Sequence, residues 1–134
     1  MVVLASENVA LRSKDDVVLA RQKTREWAVA RGFTLVDQTR LVTAASELAR
    51  NTVDHGGGGR LTIEAVADGE NEGLRLTFED HGRGIPDVEQ ALRDGYSTAG
   101  GLGLGLGGAR RLSHLFQMDS RPGEGTRVTI LRWK

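Results

Sequence analysis

The sequence predicts an α/β fold in which helices cover one face of a sheet. Two segments in the first half of the chain repeat apolar residues at helical spacing, and two later pairs of segments alternate apolar and polar residues around glycine-containing turns. Amphipathic helices and strands that are apolar on one face bury those surfaces against each other in two layers. The length of 134 residues suits one domain, so we expect a single unit over residues 1–134.

The chain opens with a strand region followed by two helices. VVLASENVALR alternates loosely and indicates one or two short strands. A first helix is predicted between Ser13, which acidic residues follow as start signals, and Gly32, which acts as a stop. Its positions at helical spacing are Val17, Ala20, Thr24, Trp27, Ala28 and Arg31. A second helix is predicted from Asp37 to about Val53. Its apolar stripe consists of Leu41, Ala44, Ala45, Leu48 and Thr52.

The second half of the chain predicts two pairs of strands separated by a loop and a helix. RLTIEAVAD and GLRLTFED are expected to be two strands joined by the turn GENEG. A polar stretch rich in breakers follows, and it leads into a third helix from about Leu104 to Phe116. The ending QMDSRPGEGTRVTILRW predicts a closing hairpin around PGEG.

Charge and composition exclude several classes of partner. Eighteen basic and eighteen acidic residues give a net charge of zero, and no run of Lys and Arg reaches four residues. Nucleic-acid binding needs a basic patch, so we expect no nucleic-acid partner. We also expect no membrane partner, because the N-terminus lacks a signal-peptide pattern and no eighteen apolar residues run together. The absence of cysteine fits a reducing cytoplasm, which is the predicted location.

The second predicted helix carries a polar pair. Glu47 and Asn51 are four residues apart, a spacing that places two side chains on the same helix face. Such a pair is common on a solvated helix edge. The functional interpretation is that Asn51 supplies an oxygen ligand to Mg²⁺, while Glu47 accepts a proton from an attacking hydroxyl or water or orients it.

A second polar position ends a predicted strand. The alternation of Leu74, Leu76 and Phe78 continues to Asp80, which places a carboxylate on the buried face. A buried carboxylate needs a hydrogen-bond partner, and an exocyclic amine such as that of adenine would serve. Gly82 and Gly84 would let the backbone approach a flat ring closely. A turn capped by the carboxylate is the alternative.

Glycine is concentrated in two clusters. Ten of the 18 glycines fall in DHGGGG and AGGLGLGLGG, and local glycine indicates backbone that comes close to another group. Gly103, Gly105 and Gly108 fit G-x-G-x-x-G, but the dinucleotide pattern needs a preceding strand, which is missing here. No Gly-Lys-Ser or Gly-Lys-Thr follows, so a Walker loop is excluded. The remaining functional interpretation is a loop that leads into the N-terminus of a helix, which attracts phosphate. The alternatives are a glycine segment needed for close packing and a linker.

The last predicted strand begins with a hydroxyl on its apolar face. Thr126 shares that face with Val128 and Ile130. A satisfied threonine within a strand is the ordinary explanation. The functional alternative is that its hydroxyl lies beside Asp80 and hydrogen bonds to a purine edge.

These four patterns occur in one fixed order. The order is E-x-x-x-N on a helix, D-x-G-x-G after a strand, G-x-G-x-G before a helix and G-x-G-T before a strand. It resembles the GHKL ATP-binding superfamily of histidine kinases, gyrase, Hsp90-type chaperones and anti-sigma serine kinases. Within it, SELARNTVDHGGGG, EDHGRGIPD, DGYSTAGGLGLGLGGARRL and GEGTRV look like the RsbT-type switch kinases of the stressosome, and the likeness covers nearly the whole chain.

The resemblance implies a fold and a site. The fold would be the two-layer Bergerat sandwich, a mixed sheet with helices on one face and a mobile ATP lid at about residues 87–101. Asn51 would carry Mg²⁺, Glu47 would activate the substrate hydroxyl, and Asp80 and Thr126 would contact adenine. The pocket floor and phosphate loop would be formed by Gly82, Gly84, Gly101, Gly103 and Gly105.

The resemblance also implies a function with ATP and Mg²⁺ as cofactors. Such kinases phosphorylate a serine or threonine of a STAS-domain protein, and the RsbT type then activates a PP2C phosphatase upstream of a sigma factor. An RsbW-type kinase that binds a sigma factor directly is the nearest alternative. A nucleotide-gated binding module without catalysis is the other, although a pure binding module would not need a base at Glu47.

Overall fold

A computed structural model describes residues 1–82 and 105–134 of the chain. In this part of the molecule there are five strands and three helices. They are β1 (Val2–Leu11), α1 (Lys14–Ala30), α2 (Leu35–Asp54), β2 (Gly59–Asp68), β3 (Asn71–Asp80), α3 (Gly105–Arg111), β4 (Leu115–Arg121) and β5 (Gly125–Trp133). None of the helices within these ranges is long and apolar enough to cross a membrane.

The strands form one sheet in the order β1-β2-β3-β5-β4, with helices packed on one face, so the predicted two-layer α/β fold is confirmed. The resemblance implied a mixed sheet, but all four pairs among the described strands are antiparallel. Helices α1 and α2, joined by a four-residue loop, form a helical hairpin between β1 and β2. This hairpin returns the chain to the end of the sheet at which β1 stops, so β2 runs antiparallel to β1.

Both long helices begin close to their predicted starts. Ser13 is the N-cap of α1 in an extended conformation, and Gly32 follows the helix with φ +81°. Helix α2 begins at Leu35, two residues before the predicted start, because the Thr34 hydroxyl caps it by accepting the Asp37 N–H at 3.2 Å.

The core lies between the helices and the inward face of the sheet. The predicted apolar stripe of α2 is buried, and so are the alternating strand positions that end at Phe78 and Ile130. The opposite face of the sheet carries polar side chains, including an ion pair in which Arg75 Nε lies 2.8 Å from Glu64 Oε1. Alternation along each strand therefore decides which residues face the helices.

Two predicted boundaries are corrected, and one open alternative is decided. The opening segment, predicted as one or two short strands, is one ten-residue strand with an irregularity between Val3 and Ala5. The five-residue turn GENEG is wrong: Asp68 pairs with Asn71, so only two residues form the turn. The third helix ends at Arg111 and not at Phe116, which lies in β4 and pairs with Ile130.

The shorter third helix has a physical cause. The N–H of His114 donates to Leu131 O at 2.9 Å, which starts the pairing of β4 with β5 directly after the helix. Phe116 and Met118 then alternate inward and pack against the core. Pairing with a strand that comes later in the chain therefore overrides the local helical spacing. The predicted closing hairpin itself is confirmed.

Candidate active site

The polar pair lies in the C-terminal half of α2. Glu47 is only 1% exposed, which is rare for a carboxylate unless it is paired. Arg50, one turn further along α2, places Nη1 3.2 Å from Glu47 Oε1. This charge-assisted hydrogen bond offsets part of the cost of removing the carboxylate from water. Glu47 is thus held in a defined position inside the protein.

Asn51 carries the strongest sign of a missing ligand. Its Oδ1 is buried and has no hydrogen-bond donor among the residues that the structure describes. A buried acceptor without a donor costs about 1–3 kcal/mol, and native proteins keep few of them. A cation, a water or a ligand donor would satisfy this atom. The amide oxygen is a hard ligand of the kind that Mg²⁺ prefers.

Asp80 stands at the end of β3 and connects two segments of backbone. Its Oδ1 accepts the N–H of Gly82 at 2.9 Å and the N–H of Thr126 at 3.2 Å. The first bond closes a tight turn after the strand, and the second ties the start of β5 to the end of β3. Thr126 Oγ1 lies 2.9 Å from Ser120 Oγ, on the neighbouring strand β4.

Close backbone contacts bring the end of α2 against Asp80. The N–H groups of His55 and Gly56 both donate to Asn51 O, at 2.9 and 3.2 Å. Gly56 lies directly against the Asp80 side chain, and Gly82 lies against the Gly56 backbone. Contacts thus run without a break from Asn51 to Asp80 and on to Thr126. One corner of the molecule is built from the end of α2, the end of β3 and the start of β5.

The structure brings five of the predicted site residues to this corner. They are Glu47, Asn51, Asp80, Gly82 and Thr126. Gly105 is the first residue of α3, a helix that packs on α2. Gly84, Gly101, Gly103 and the predicted lid at residues 87–101 lie outside the described residues. The roles assigned to all of these residues remain predictions.

Three residues of the corner were missed by the sequence reasoning. Arg50 follows Glu47 at helical spacing, which could have indicated the pair. Ser120 lies in the predicted closing hairpin and alternates with Met118, which could have indicated that it shares a face with the core. Gly56 belongs to the cluster DHGGGG, whose glycines indicate a close backbone approach, but nothing in the neighbouring residues indicates that the group it contacts is Asp80.

The described residues contain no group of three or more His, Cys, Asp or Glu side chains that could hold a metal ion. This limits the kind of metal site that the corner can offer. A single amide oxygen suits Mg²⁺ that keeps its waters and is shared with phosphate groups, since Mg²⁺ is commonly bound in that way. Asn51 fits such a partial site, with its Oδ1 as the protein ligand.

Comparison with known sequences gives consistent matches. Residues 36–134 match the family model of histidine kinase-, DNA gyrase B- and HSP90-like ATPases. The serine/threonine-protein kinase RsbT of Bacillus subtilis (strain 168) is 46% identical over 125 residues, which are 93% of this chain and 94% of that protein. The anti-sigma F factor of Anoxybacillus flavithermus is 29% identical over 106 residues, 74% of this chain and 71% of that protein.

Solved structures share the fold at low sequence identity. The RsbU and RsbW domains of Rv1364c from Mycobacterium tuberculosis align with a TM-score of 0.67 and 20% identity over 97% of this chain, which matches 33% of that longer chain. The SiaB-SiaC complex from Pseudomonas aeruginosa aligns with a TM-score of 0.55 and 13% identity, covering 98% of this chain and 91% of the matched one. These likenesses support the two-layer architecture.

Proposed function

This chain belongs to the family of histidine kinase-, DNA gyrase B- and HSP90-like ATPases, and we propose that it is an ATP-dependent serine/threonine kinase that works as a partner switch. The family agrees with the one that the order of motifs indicates. The observation that carries the kinase activity is that a buried carboxylate, Glu47, lies one turn from a buried oxygen, Asn51 Oδ1, that has no donor among the described residues. A module that only binds nucleotide has no need of the carboxylate.

The adenine end of the nucleotide is assigned to Asp80 and Thr126. The Asp80 carboxylate faces the helices and is fixed by two backbone N–H groups, so it is preorganised to accept the exocyclic amine of adenine. The Thr126 hydroxyl, paired with Ser120, lies beside it as a second polar group for the base. Donors and acceptors that are already held in place bind a ligand without the entropy cost of ordering their side chains.

The phosphate end is assigned to the helix surface that holds Asn51. Asn51 Oδ1 would hold Mg²⁺, which when bound neutralises the charge of the phosphate oxygens. Gly101, Gly103 and Gly105, ahead of and at the start of α3, are proposed to follow the phosphates with their backbone N–H groups.

Glu47 is proposed as the base. The hydroxyl oxygen of a serine or threonine attacks the γ-phosphorus, the bond from that phosphorus to the bridging oxygen breaks, and ADP leaves. The hydroxyl proton goes to the Glu47 carboxylate. Arg50 holds that carboxylate in place during the transfer. Most of the catalysis comes from positioning and charge neutralisation, as expected for phosphoryl transfer.

The proposed substrate is a serine or threonine of a STAS-domain protein. After its phosphorylation, the released kinase would bind and activate a PP2C phosphatase upstream of a sigma factor. The high identity to RsbT over nearly the full length of both chains supports this assignment. Direct binding of a sigma factor is the second candidate, which the 29% identity to an anti-sigma F factor supports more weakly.

Transfer from γ-labelled Mg-ATP tests the proposal. Wild type and Glu47→Gln are incubated with STAS-domain, phosphatase and sigma-factor candidates from one genome. Label is expected on one STAS protein and is expected to fall at least about 100-fold in the variant, in line with the loss of a general base. Labelling of the STAS protein at the wild-type rate by Glu47→Gln would show that Glu47 is not the base. ATP binding without any transfer would instead indicate a nucleotide-gated binding module.

A further inference from the structure

Gly56 and the Asp80 carboxylate are in direct contact. A methyl group on Gly56 would lie 2.5 Å from Asp80 Oδ2 and closer still to Asp80 Cγ and Cβ. Such distances are far inside van der Waals contact. The first glycine of DHGGGG therefore occupies a place where a Cβ cannot coexist with the observed position of the Asp80 side chain.

Space, and not backbone torsion, requires glycine at this position. Gly57 and Gly58, the next two residues, have φ of +72° and +109°, which favours glycine on conformational grounds. Gly56, in contrast, does not have a positive φ. A methyl group on Gly57 would meet nothing within 4 Å. Gly57 and Gly58 are therefore favoured by their backbone conformation, whereas Gly56 is required by the space that the Asp80 side chain occupies.

The two oxygens of Asp80 have different surroundings. Oδ1 accepts both backbone N–H groups, from Gly82 and Thr126. Oδ2 lies on the Gly56 side and has no hydrogen bond to any residue of the described ranges. Oδ1 thus fixes the carboxylate, which leaves Oδ2 as the oxygen available to a ligand amine.

We propose that Gly56 is a positioning residue for nucleotide binding: by leaving out a side chain, it lets Asp80 keep Oδ1 on the two backbone amides and present Oδ2 to the base. This inference rests on the proposed function. A side chain at residue 56 would push the Asp80 carboxylate away. Its Oδ1 would then lose the hydrogen bonds from the two backbone N–H groups, and its Oδ2 would move out of place for the base. Glu47 is on the preceding turns of α2 and is not touched by this change.

Gly56→Ala tests the assignment, with Gly57→Asn as a matched control. Asparagine tolerates positive φ better than other residues with a side chain, and residue 57 has open space around it. ATP affinity by calorimetry and the KM and kcat of transfer are measured for both variants and wild type. Gly56→Ala is expected to weaken ATP binding and raise KM about tenfold or more, with kcat at saturating ATP within about threefold. Gly57→Asn should bind ATP like wild type.

A double-mutant cycle covers the case in which Gly56→Ala folds poorly. Because the proposed clash is with the Asp80 side chain, its Cβ included, Gly56→Ala should lower the Tm of wild type and should lower that of Asp80→Gly, which lacks the whole side chain, far less. Equal losses of Tm in both backgrounds would overturn the inference. So would wild-type ATP affinity in a folded Gly56→Ala variant.

The two possible failures can be told apart. If wild type itself does not bind ATP, the proposed function fails. If wild type binds ATP and Gly56→Ala binds it equally well, only the role of Gly56 fails.

Discussion

Arg50 Nη1 lies 3.2 Å from Glu47 Oε1, and the two residues are one turn apart on α2. Arg50 is about one-fifth exposed at its side chain, while Glu47 is almost completely buried. The guanidinium thus lies between the carboxylate and the solvent. This geometry suits Arg50 to position the proposed base, and the pair lies largely below the protein surface.

The first prediction concerns Arg50. Arg50→Ala should lower kcat about tenfold, because the buried carboxylate loses the hydrogen bond that sets its position, while KM for ATP stays within about twofold. Arg50→Lys, which keeps the charge, should recover part of the loss. Steady-state kinetics with the labelled substrate measure both values. A raised KM at unchanged kcat would mean that Arg50 contacts the nucleotide instead.

The second prediction separates function from stability at Asn51. Asn51→Ala removes a buried oxygen that has no donor among the described residues, so the unfolding free energy of the ligand-free protein should fall by no more than a few tenths of a kcal/mol and rise by no more than about 1 kcal/mol. The rise in Tm that Mg-ATP gives the wild type should disappear. Thermal unfolding with and without Mg-ATP gives both results. A large loss of stability without ligand would show that Oδ1 has a structural partner.

Much of the fold could be predicted from local patterns. The apolar stripe of α2 and the alternation of Leu74, Leu76 and Phe78 indicated which faces are buried, and the structure confirms both. Asp80, which continues the alternation, is only partly buried. The family resemblance then implied that Asn51, Asp80 and Thr126 belong to one nucleotide site, and the structure brings them to one corner.

The predictions that were wrong or missing depend on contacts between distant parts of the chain. Leu112 and Phe116 have helical spacing, but Phe116 belongs to β4 because β5 offers a pairing edge. Gly56 looks like any turn glycine in the sequence, and its requirement comes from Asp80, which approaches only in the folded molecule. Neither the strand that pairs with Phe116 nor the side chain that Gly56 contacts has a local sequence signal.

The third prediction concerns the hydroxyl pair of Thr126 and Ser120. Thr126→Val keeps the shape and the backbone N–H that binds Asp80, so any change reports the hydroxyl alone. ATP affinity should fall about fivefold to tenfold, and Ser120→Ala should cost about threefold through a less restrained Thr126 hydroxyl. Calorimetric titration with ATP measures both. Wild-type affinity in Thr126→Val would mean that Thr126 acts only through its backbone.

The fourth prediction concerns an ion pair at the opposite end of α2. Asp37 Oδ1 accepts from Arg132 Nη2 at 2.9 Å and from Arg40 Nη1 at 3.0 Å, and Arg132 Nη1 also donates to Leu112 O at 2.8 Å. This network joins the start of α2, the end of β5 and the segment after α3. Burial alone would raise the pKa of Asp37, but the hydrogen bonds and charges of Arg132 and Arg40 outweigh it and hold the pKa below the ordinary value of 3.8.

The sign of the pH effect follows from that lowered pKa. The pair stabilises the fold fully above the unfolded-state pKa, and the contribution is lost as pH falls through the folded-state pKa. Asp37→Asn should therefore reduce the free energy of unfolding by about 1–2 kcal/mol at pH 7, and the difference should shrink below about pH 4. Denaturant unfolding at several pH values measures it, with the exposed Asp54→Asn as control. A difference that stays constant down to pH 2.5 would show that the charge of Asp37 contributes nothing.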